Sequence, residues 1–292
     1  MNFTEILTEY NISISPEGHH HAREGWVQFD CPLCGKGTHG YHMGYNISFG
    51  YVNCWRCGHH SLLKVVMEIT GLSLDKCRKL LSQIPARRVR IQEKPRGKLV
   101  IPSGVNFLNH AHLKYLIKRN YKPLDLEKLW DIQGIGLSSR LAWRIFIPIY
   151  YHGEMVSWTT RSIADCSKVT RYISASPEEE SINHKHLLYG EDFVRDTIII
   201  CEGPFDVWRI GCGAVATLGT GYSKKQVIKM TIFKNRYVCF DNEKEAQQRA
   251  KKLCNTLSLY PGDTSNIQLS SKDVGTATKD EIIKLKKLLV KT

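Results

Sequence analysis

Two cysteine pairs, Cys31-Pro-Leu-Cys34 and Cys54-Trp-Arg-Cys57, stand 19 residues apart in the first fifth of the chain. Each pair fits a tight turn that points both thiols the same way. Two such pairs at this spacing match the pattern in which four cysteines close around zinc. Four thiolates leave no open coordination position, so one structural Zn2+ held by Cys31, Cys34, Cys54 and Cys57 is expected. Gly35 and Gly58 follow the second cysteine of each pair, where the backbone must turn sharply. The intervening YHMGYNISFGYV is rich in aromatic and β-branched residues, as the strands of a ribbon should be. His39, His42, His59 and His60 are alternative ligands, although a role facing solvent or nucleic acid is expected for each. Tyr41, Tyr45, Phe49, Tyr51 and Trp55 either stack on bases or fill the ribbon's small core. The other six cysteines (Cys77, Cys166, Cys201, Cys212, Cys239 and Cys254) are scattered, mostly in apolar contexts. They read as buried thiols in a reducing compartment rather than a disulfide framework.

The 292 residues divide into zones. Residues 1–82 hold the cysteine pairs and close with amphipathic stretches at Ser61–Ile69 and Ser73–Leu81. Residues 83–98 read as a linker: PARRVRIQEKPRGK carries six basic residues, one acid and two prolines, with no apolar period. From Leu99 onward a larger mixed α/β body is expected, with 196–292 forming its second half. There, strands at Thr197–Cys201, Ala214–Leu218, Arg236–Phe240 and Asn266–Ser270 alternate with helices. The helices begin near Phe205 (Pro204 at the first position), Ser223, Glu243 and the Thr278-x-x-Glu281 capping box. This alternation implies a parallel sheet with helices on its faces. The fold class is therefore α/β: a small β-rich ribbon followed by a mixed body built on a parallel sheet.

Lys+Arg 41 against Asp+Glu 28 gives a net charge of +13, which favours polyanionic partners. No apolar run reaches the roughly 18 residues of a membrane span, and the amino terminus lacks a secretory pattern. A cytoplasmic protein with no membrane partner is the expectation.

In an open parallel sheet, ligands bind beyond the carboxyl ends of the strands. Three of the four expected strands deliver acids there: Glu202 after the first, Asp241 and Glu243 after the third, and Asp273 after the fourth. The second delivers the turn Leu218-Gly219-Thr220-Gly221. Clustered carboxylates repel one another unless a cation neutralises them, and oxygen-rich sets suit Mg2+ or Mn2+. Each acid alone reads more readily as a helix cap or a solvated charge; the coincidence at one sheet edge favours a metal site.

At these residues the sequence resembles bacterial and phage DNA primases, with a zinc ribbon and a topoisomerase–primase (TOPRIM) catalytic domain. Glu202-Gly203-Pro204-Phe205-Asp206 is similar to the TOPRIM glutamate motif, and Ala216–Thr220 to the primase "SLGT" segment. Tyr237–Glu243 with Ala246 resembles the Asp-x-Asp strand and following helix, and Lys272-Asp273 the final acidic motif. Upstream, Arg144–Ile149, Ser157–Arg161, Arg171–Pro177 and Leu188-Tyr-Gly resemble primase segments in the same order. Two departures stand out. Glu243 replaces the second aspartate of the Asp-x-Asp pair, and the usual glycine beyond it is replaced by charged residues. Cys34 stands where many bacterial primases carry histidine, which looks more like the phage versions. The chain stops shortly after the final acid, as a phage-type stand-alone primase would.

The resemblance implies RNA-primer synthesis on single-stranded DNA from ribonucleoside triphosphates. Mg2+ or Mn2+ would be held by Glu202, Asp241, Glu243 and Asp273, with Glu202 doubling as a general base. It also implies a replicative helicase as a separate chain, and the host cytoplasm or nucleoid as the location if the gene is phage-borne. Arg144, Arg161, Arg171, Lys185 and Lys272 are the expected cations for template and triphosphate. Asp206, in the first turn of its helix, is equally a helix-terminal charge with no catalytic duty. The rival readings are a TOPRIM nuclease using the same metals, and a non-catalytic zinc-ribbon DNA-binding replication factor.

Overall fold

The computed structural model describes residues 2–34, 40–47, 50–84, 93–138, 140–164, 169–219 and 221–290, without the side chains of residues 59 and 82. Gly35, His39, Phe49, Cys166, Thr220 and residues 85–92 of the expected linker lie outside that set. The chain forms two compact units. The first comprises 1–90 with 230–234 and 252–264; the second comprises 91–229, 235–251 and 265–292.

The first unit opens with helix α1 (Phe3–Glu9), whose amino end is closed by a reciprocal cap between Asn2 and Glu5. Strands β1 (Trp26–Phe29), β2 (Met43–Asn46), β3 (Val52–Cys54) and β4 (Gly58–His60) form one antiparallel sheet in sequence order. Helices α2 (Leu62–Thr70) and α3 (Leu74–Ser82) follow. Ser61 caps α2 through its side chain, and Gly71 ends it in the left-handed conformation that glycine tolerates. Phe3, Ile6, Leu7, Phe29, Met43, Val52, Val65 and Val66 close the core of this unit.

In the second unit, short strand β5 (Val105–Asn106) and helices α4 (His110–Lys118) and α5 (Pro123–Trp130) precede β6 (Gln133–Ile135), β7 (Arg144–Tyr151), β8 (Glu154–Ser162) and β9 (Tyr172–Ser174). These five strands make an antiparallel sheet in chain order. The remainder alternates: β10 (Thr197–Cys201), α6 (Pro204–Ile210), β11 (Ala214–Ala216), α7 (Lys224–Thr231), β12 (Asn235–Val238), α8 (Lys244–Leu257), β13 (Asp263–Asn266) and α9 (Lys279–Val290). The second sheet has the order β11-β10-β12-β13, so β10, wholly buried, lies inside it. Both β11 and β12 run parallel to β10. The continuous apolar run of β10 is what a strand covered on both faces requires.

Helix starts follow the sequence signals closely. Pro204 occupies the first turn of α6, Ser223 and Gln226 cap α7 reciprocally, and Thr278 and Glu281 do the same for α9. The fourth strand lies earlier than the expected Asn266–Ser270. Ile267 still donates to Val238, but the amides of Ser270 and Ser271 donate to the Glu281 carboxylate. A backbone whose donors go to a side chain cannot continue the ladder. Part of the expected linker is also docked on the second unit. Glu93 pairs with Lys225 at 3.0 Å, and the Arg96 amide donates to the Ser181 carbonyl.

Candidate active site

In the ribbon, the four expected cysteines converge. Their Sγ atoms all lie within 4.8 Å of one another, with Cys31 and Cys57 3.6 Å apart and Cys34 and Cys54 4.0 Å apart. Tetrahedral ligands about 2.3 Å from a zinc ion would be about 3.8 Å apart, so the set fits this metal. The Arg56 amide also donates to Cys54 Sγ, and Gly58 makes the sharp exit at φ 90°. His60 Nε2 lies 3.0 Å from Cys57 Sγ, beside the cluster rather than in it. Tyr41 and Tyr45 are buried, whereas Trp55 is exposed, packing on Trp26 and under the Arg23 guanidinium.

A cleft of about 370 Å3 opens in the second unit. Glu202, Asp206, Asp241 and Asp273 line it, together with the Leu218-Gly219 turn. Glu202 is delivered by the end of β10, and the Gly219 amide donates to its carbonyl. Asp206 sits in the first turn of α6, where its Oδ2 accepts from the Gly203 amide at 3.2 Å. Asp241 follows β12; the buried Gln247 amide of α8 donates to the carbonyls of Phe240 and Asp241 and fixes that strand end. Asp273 caps a single turn of 3-10 helix by accepting from the Thr276 amide at 2.7 Å. The Asn242 amide donates to the Lys272 carbonyl, tying the two acidic loops together. Glu281 reaches the second loop from α9, accepting from Ser270, Ser271 and Thr278, and these bonds lower its pKa to about 2.

Burial and mutual repulsion govern the cleft acids. Burial, then the Asp241 charge, pushes the Asp206 carboxyl up to about 7. Glu202 is raised by burial and then by Asp241, and Asp241 by burial and then by Asp273. These are hard oxygen donors that a small divalent cation would stabilise. Among the described residues, no three of these carboxylates come within the 4.8 Å that the cysteine thiols satisfy. The arrangement suits a cation that completes its shell with water or phosphate oxygens.

The basic wall is held by aromatics. The Arg161 guanidinium lies 4.9 Å from the Tyr172 ring centre and 5.2 Å from that of Phe205. Arg119, at the carboxyl end of α4, lies over Tyr115 and the same Phe205. Arg171 is exposed on the lining.

Sequence-expected residues do not all arrive in the cleft. Glu243 is 57% exposed, pairs with Lys272 at 3.3 Å and is absent from the lining, as is Lys272. Arg144 is buried, and its guanidinium donates to the carbonyls of Thr170 and Arg171, so it holds the segment that carries Arg171. Lys185 donates to the Leu218 carbonyl, holding a turn whose Leu218 has φ 59°. These four residues stand outside the cleft lining, although the charges of Glu243 and Lys272 still act on Asp241. Conversely, Asp206, Arg119, Tyr121 and Tyr172 line the cleft without having been chosen from the sequence. Only Asp206 carried a signal, its spacing from Glu202; the others arrive through tertiary packing.

No family model matches the sequence, and no curated protein matches it. Solved structures do. The zinc-binding and RNA polymerase domains of the Aquifex aeolicus primase superpose with a TM-score of 0.53 at 16% identity, covering 99% of this chain and 83% of that one. The E. coli primase catalytic core gives 0.50 at 16% identity, over 60% of this chain and 72% of that one. The primase fragment of the bacteriophage T7 primase-helicase gives 0.45 at 14%, over 85% and 95%. Along nearly all its length, the chain has the fold of the zinc-binding and RNA polymerase domains of a bacterial primase.

Proposed function

We propose that this protein is a DNA primase that joins ribonucleotides into short primers on single-stranded DNA. The observation that carries the reading is the cleft, where four acids at the carboxyl edge of a parallel sheet face arginines stacked on aromatic rings. Acids alone would suit many metal-dependent reactions. The facing guanidiniums add what a triphosphate and a template backbone require. The four-cysteine ribbon is the natural reader of the template, and the +13 charge favours both polyanions.

Primer synthesis is in-line phosphoryl transfer, in which the protein chiefly positions reactants and neutralises charge. Mg2+ or Mn2+, when bound by Glu202, Asp241 and Asp273 together with substrate phosphates, would acidify the attacking 3′-hydroxyl and stabilise the departing oxygens. Arg161 and Arg119 hold the triphosphate from the opposite wall, already oriented by Tyr172, Tyr115 and Phe205. Arg171, exposed, takes template or triphosphate phosphates. Glu202 accepts the hydroxyl proton, with Asp206 beneath it as a second carboxyl able to hold a proton near neutral pH. A separate replicative helicase chain is the partner this reading supplies.

The test supplies single-stranded DNA, labelled ribonucleoside triphosphates and Mg2+, and looks for short RNA. A nicking assay on duplex DNA runs beside it. RNA products that vanish in Asp241→Asn support the proposal. Nicked DNA without RNA would replace it with the nuclease reading, and neither product would leave a DNA-binding factor.

A further inference from the structure

Arg249 belongs to neither the cysteine cluster nor the cleft lining, yet its charge acts on two of the acids there, Glu202 and Asp241. It sits on the half-buried side of α8, next to the fully buried Ala250. Its Nη2 lies 3.8 Å from Glu202 Oε1, the two side chains being 35% and 12% exposed. Among the described residues, this is the ion pair made by a carboxylate that lines the cleft. The pair is close enough for strong attraction but too long for a hydrogen bond. Arg249 Nε and Glu202 Oε1 are both buried without a hydrogen-bond partner. Nη2, rather than the unpartnered Nε, is the guanidinium nitrogen nearest that orphaned carboxylate oxygen, and at this separation the contact is poised rather than closed.

We infer that Arg249 is an internal counter-ion of Glu202 that a divalent cation must outcompete, so that it sets the cation concentration at which the cleft loads. This rests on the reading of the cleft as a cation-held site, and it assigns Arg249 a positioning role rather than a catalytic one. With no cation bound, the guanidinium offsets the repulsion that Asp241 and Glu243 exert on Glu202. When a cation arrives at the front of Glu202, the carboxylate is drawn forward and the pair opens. The groups facing Glu202 fit this account. Asp241 and Glu243 supply repulsion, Arg161 and Arg171 line the cleft itself, and Arg249 stands outside that lining.

The inference is tested by Mn2+ binding to the full-length, zinc-loaded chain, followed by electron paramagnetic resonance at fixed pH and salt. R249M removes the charge while keeping much of the bulk, and R249Q repeats the charge loss with a different side chain. R249K restores the charge. Loss of one positive charge a few ångströms from a bound dication should tighten Mn2+ binding by about tenfold in R249M and R249Q. R249K should stay within about twofold of wild type. Adding E202Q to R249M should cancel most of the gain. Wild-type or weaker Mn2+ affinity in R249M and R249Q, with native circular dichroism, overturns the inference while leaving the cation reading intact. If neither wild type nor the Arg249 variants bind Mn2+, the reading of the cleft fails and the inference falls with it.

Discussion

The ribbon and the cleft gather four candidate ligands each, by opposite means. In the ribbon the ligands are identical, paired along the chain and packed within 4.8 Å of one another, which leaves no room for substrate. In the cleft they are carboxylates brought from two strand ends, a helix start and the cap of a 3-10 turn, spread along a 370 Å3 opening and balanced by arginines. The first arrangement can satisfy a zinc ion by itself; the second would leave coordination positions open to the cation and substrate proposed for it. On the proposed reading, what separates the two sites is how completely the protein satisfies the ion by itself.

The sharpest way to break this contrast is to remove ligands from each site. Cys54→Ser with Cys57→Ser should lower zinc from one equivalent per chain to near zero, measured by atomic emission on reduced protein. Because binding energy in such modules is folding energy, on the order of 10 kcal/mol or more, far-ultraviolet circular dichroism should show the ribbon's structure lost. Retention of one zinc would deny the ribbon its defining role. Asp241→Asn should reduce primer synthesis at least about a thousandfold while leaving the metal-free melting temperature level or higher, since a repelling charge is gone. A fall of several degrees would mean the acid serves packing, and the two sites would then be alike.

The pH dependence sharpens the comparison further. Glu202, Asp206 and Asp241 all have folded-state pKa values above the ordinary range, reaching about 7 for Asp206. An acid raised by folding stabilises the folded state while protonated, and that contribution is lost as pH rises from its unfolded value, about 4, through its folded one. Glu281, lowered to about 2, is ionised in both states above about pH 5 and adds no slope there. Without divalent cations, the second unit should therefore melt at lower temperature at pH 8 than at pH 5. Mg2+ should restore much of the difference, and Asp206→Asn should flatten the curve. Scanning calorimetry decides; an unchanged or rising melting temperature would contradict the repulsion assigned to the cleft. The smallest effect is expected at Glu243, exposed and paired with Lys272. Glu243→Gln should keep turnover within about threefold across a Mg2+ titration, whereas a hundredfold loss would bring this residue back into the site.

How much of this was legible depended on whether the determinant was local. Cysteine spacing, the Thr278–Glu281 cap, Pro204 and the apolar run of β10 all act within a few residues, and the sequence showed each of them. The acids required one further step, the rule that strand ends share an edge; Glu202 and Asp241 line one cleft just past β10 and β12, and Asp273 reaches it from a 3-10 turn well beyond β13. Glu243 shows where the step becomes less direct: two residues past Asp241 the chain has begun to turn into α8, and the side chain pairs with Lys272 while its charge still raises Glu202 and Asp241. Arg144 looked like a substrate cation because its charge is visible in sequence and its burial is not. Arg119 reaches the cleft from a helix more than 80 residues before Glu202, and no local pattern announces that.

The bonds that Glu281 receives from Ser270, Ser271 and Thr278 have a consequence for how the cleft meets acid. They anchor the loop leading to Asp273 through a carboxylate that stays ionised down to about pH 2, far below the point at which Asp206 takes up its proton. Moderate acidification therefore discharges the cleft electrically before it loosens this part of it mechanically. If the proposed activity is silenced at pH 5, a return to pH 8 should restore it at the speed of proton exchange rather than of refolding, so that a brief acid excursion works as a pause, with the scaffold still standing when the charge returns.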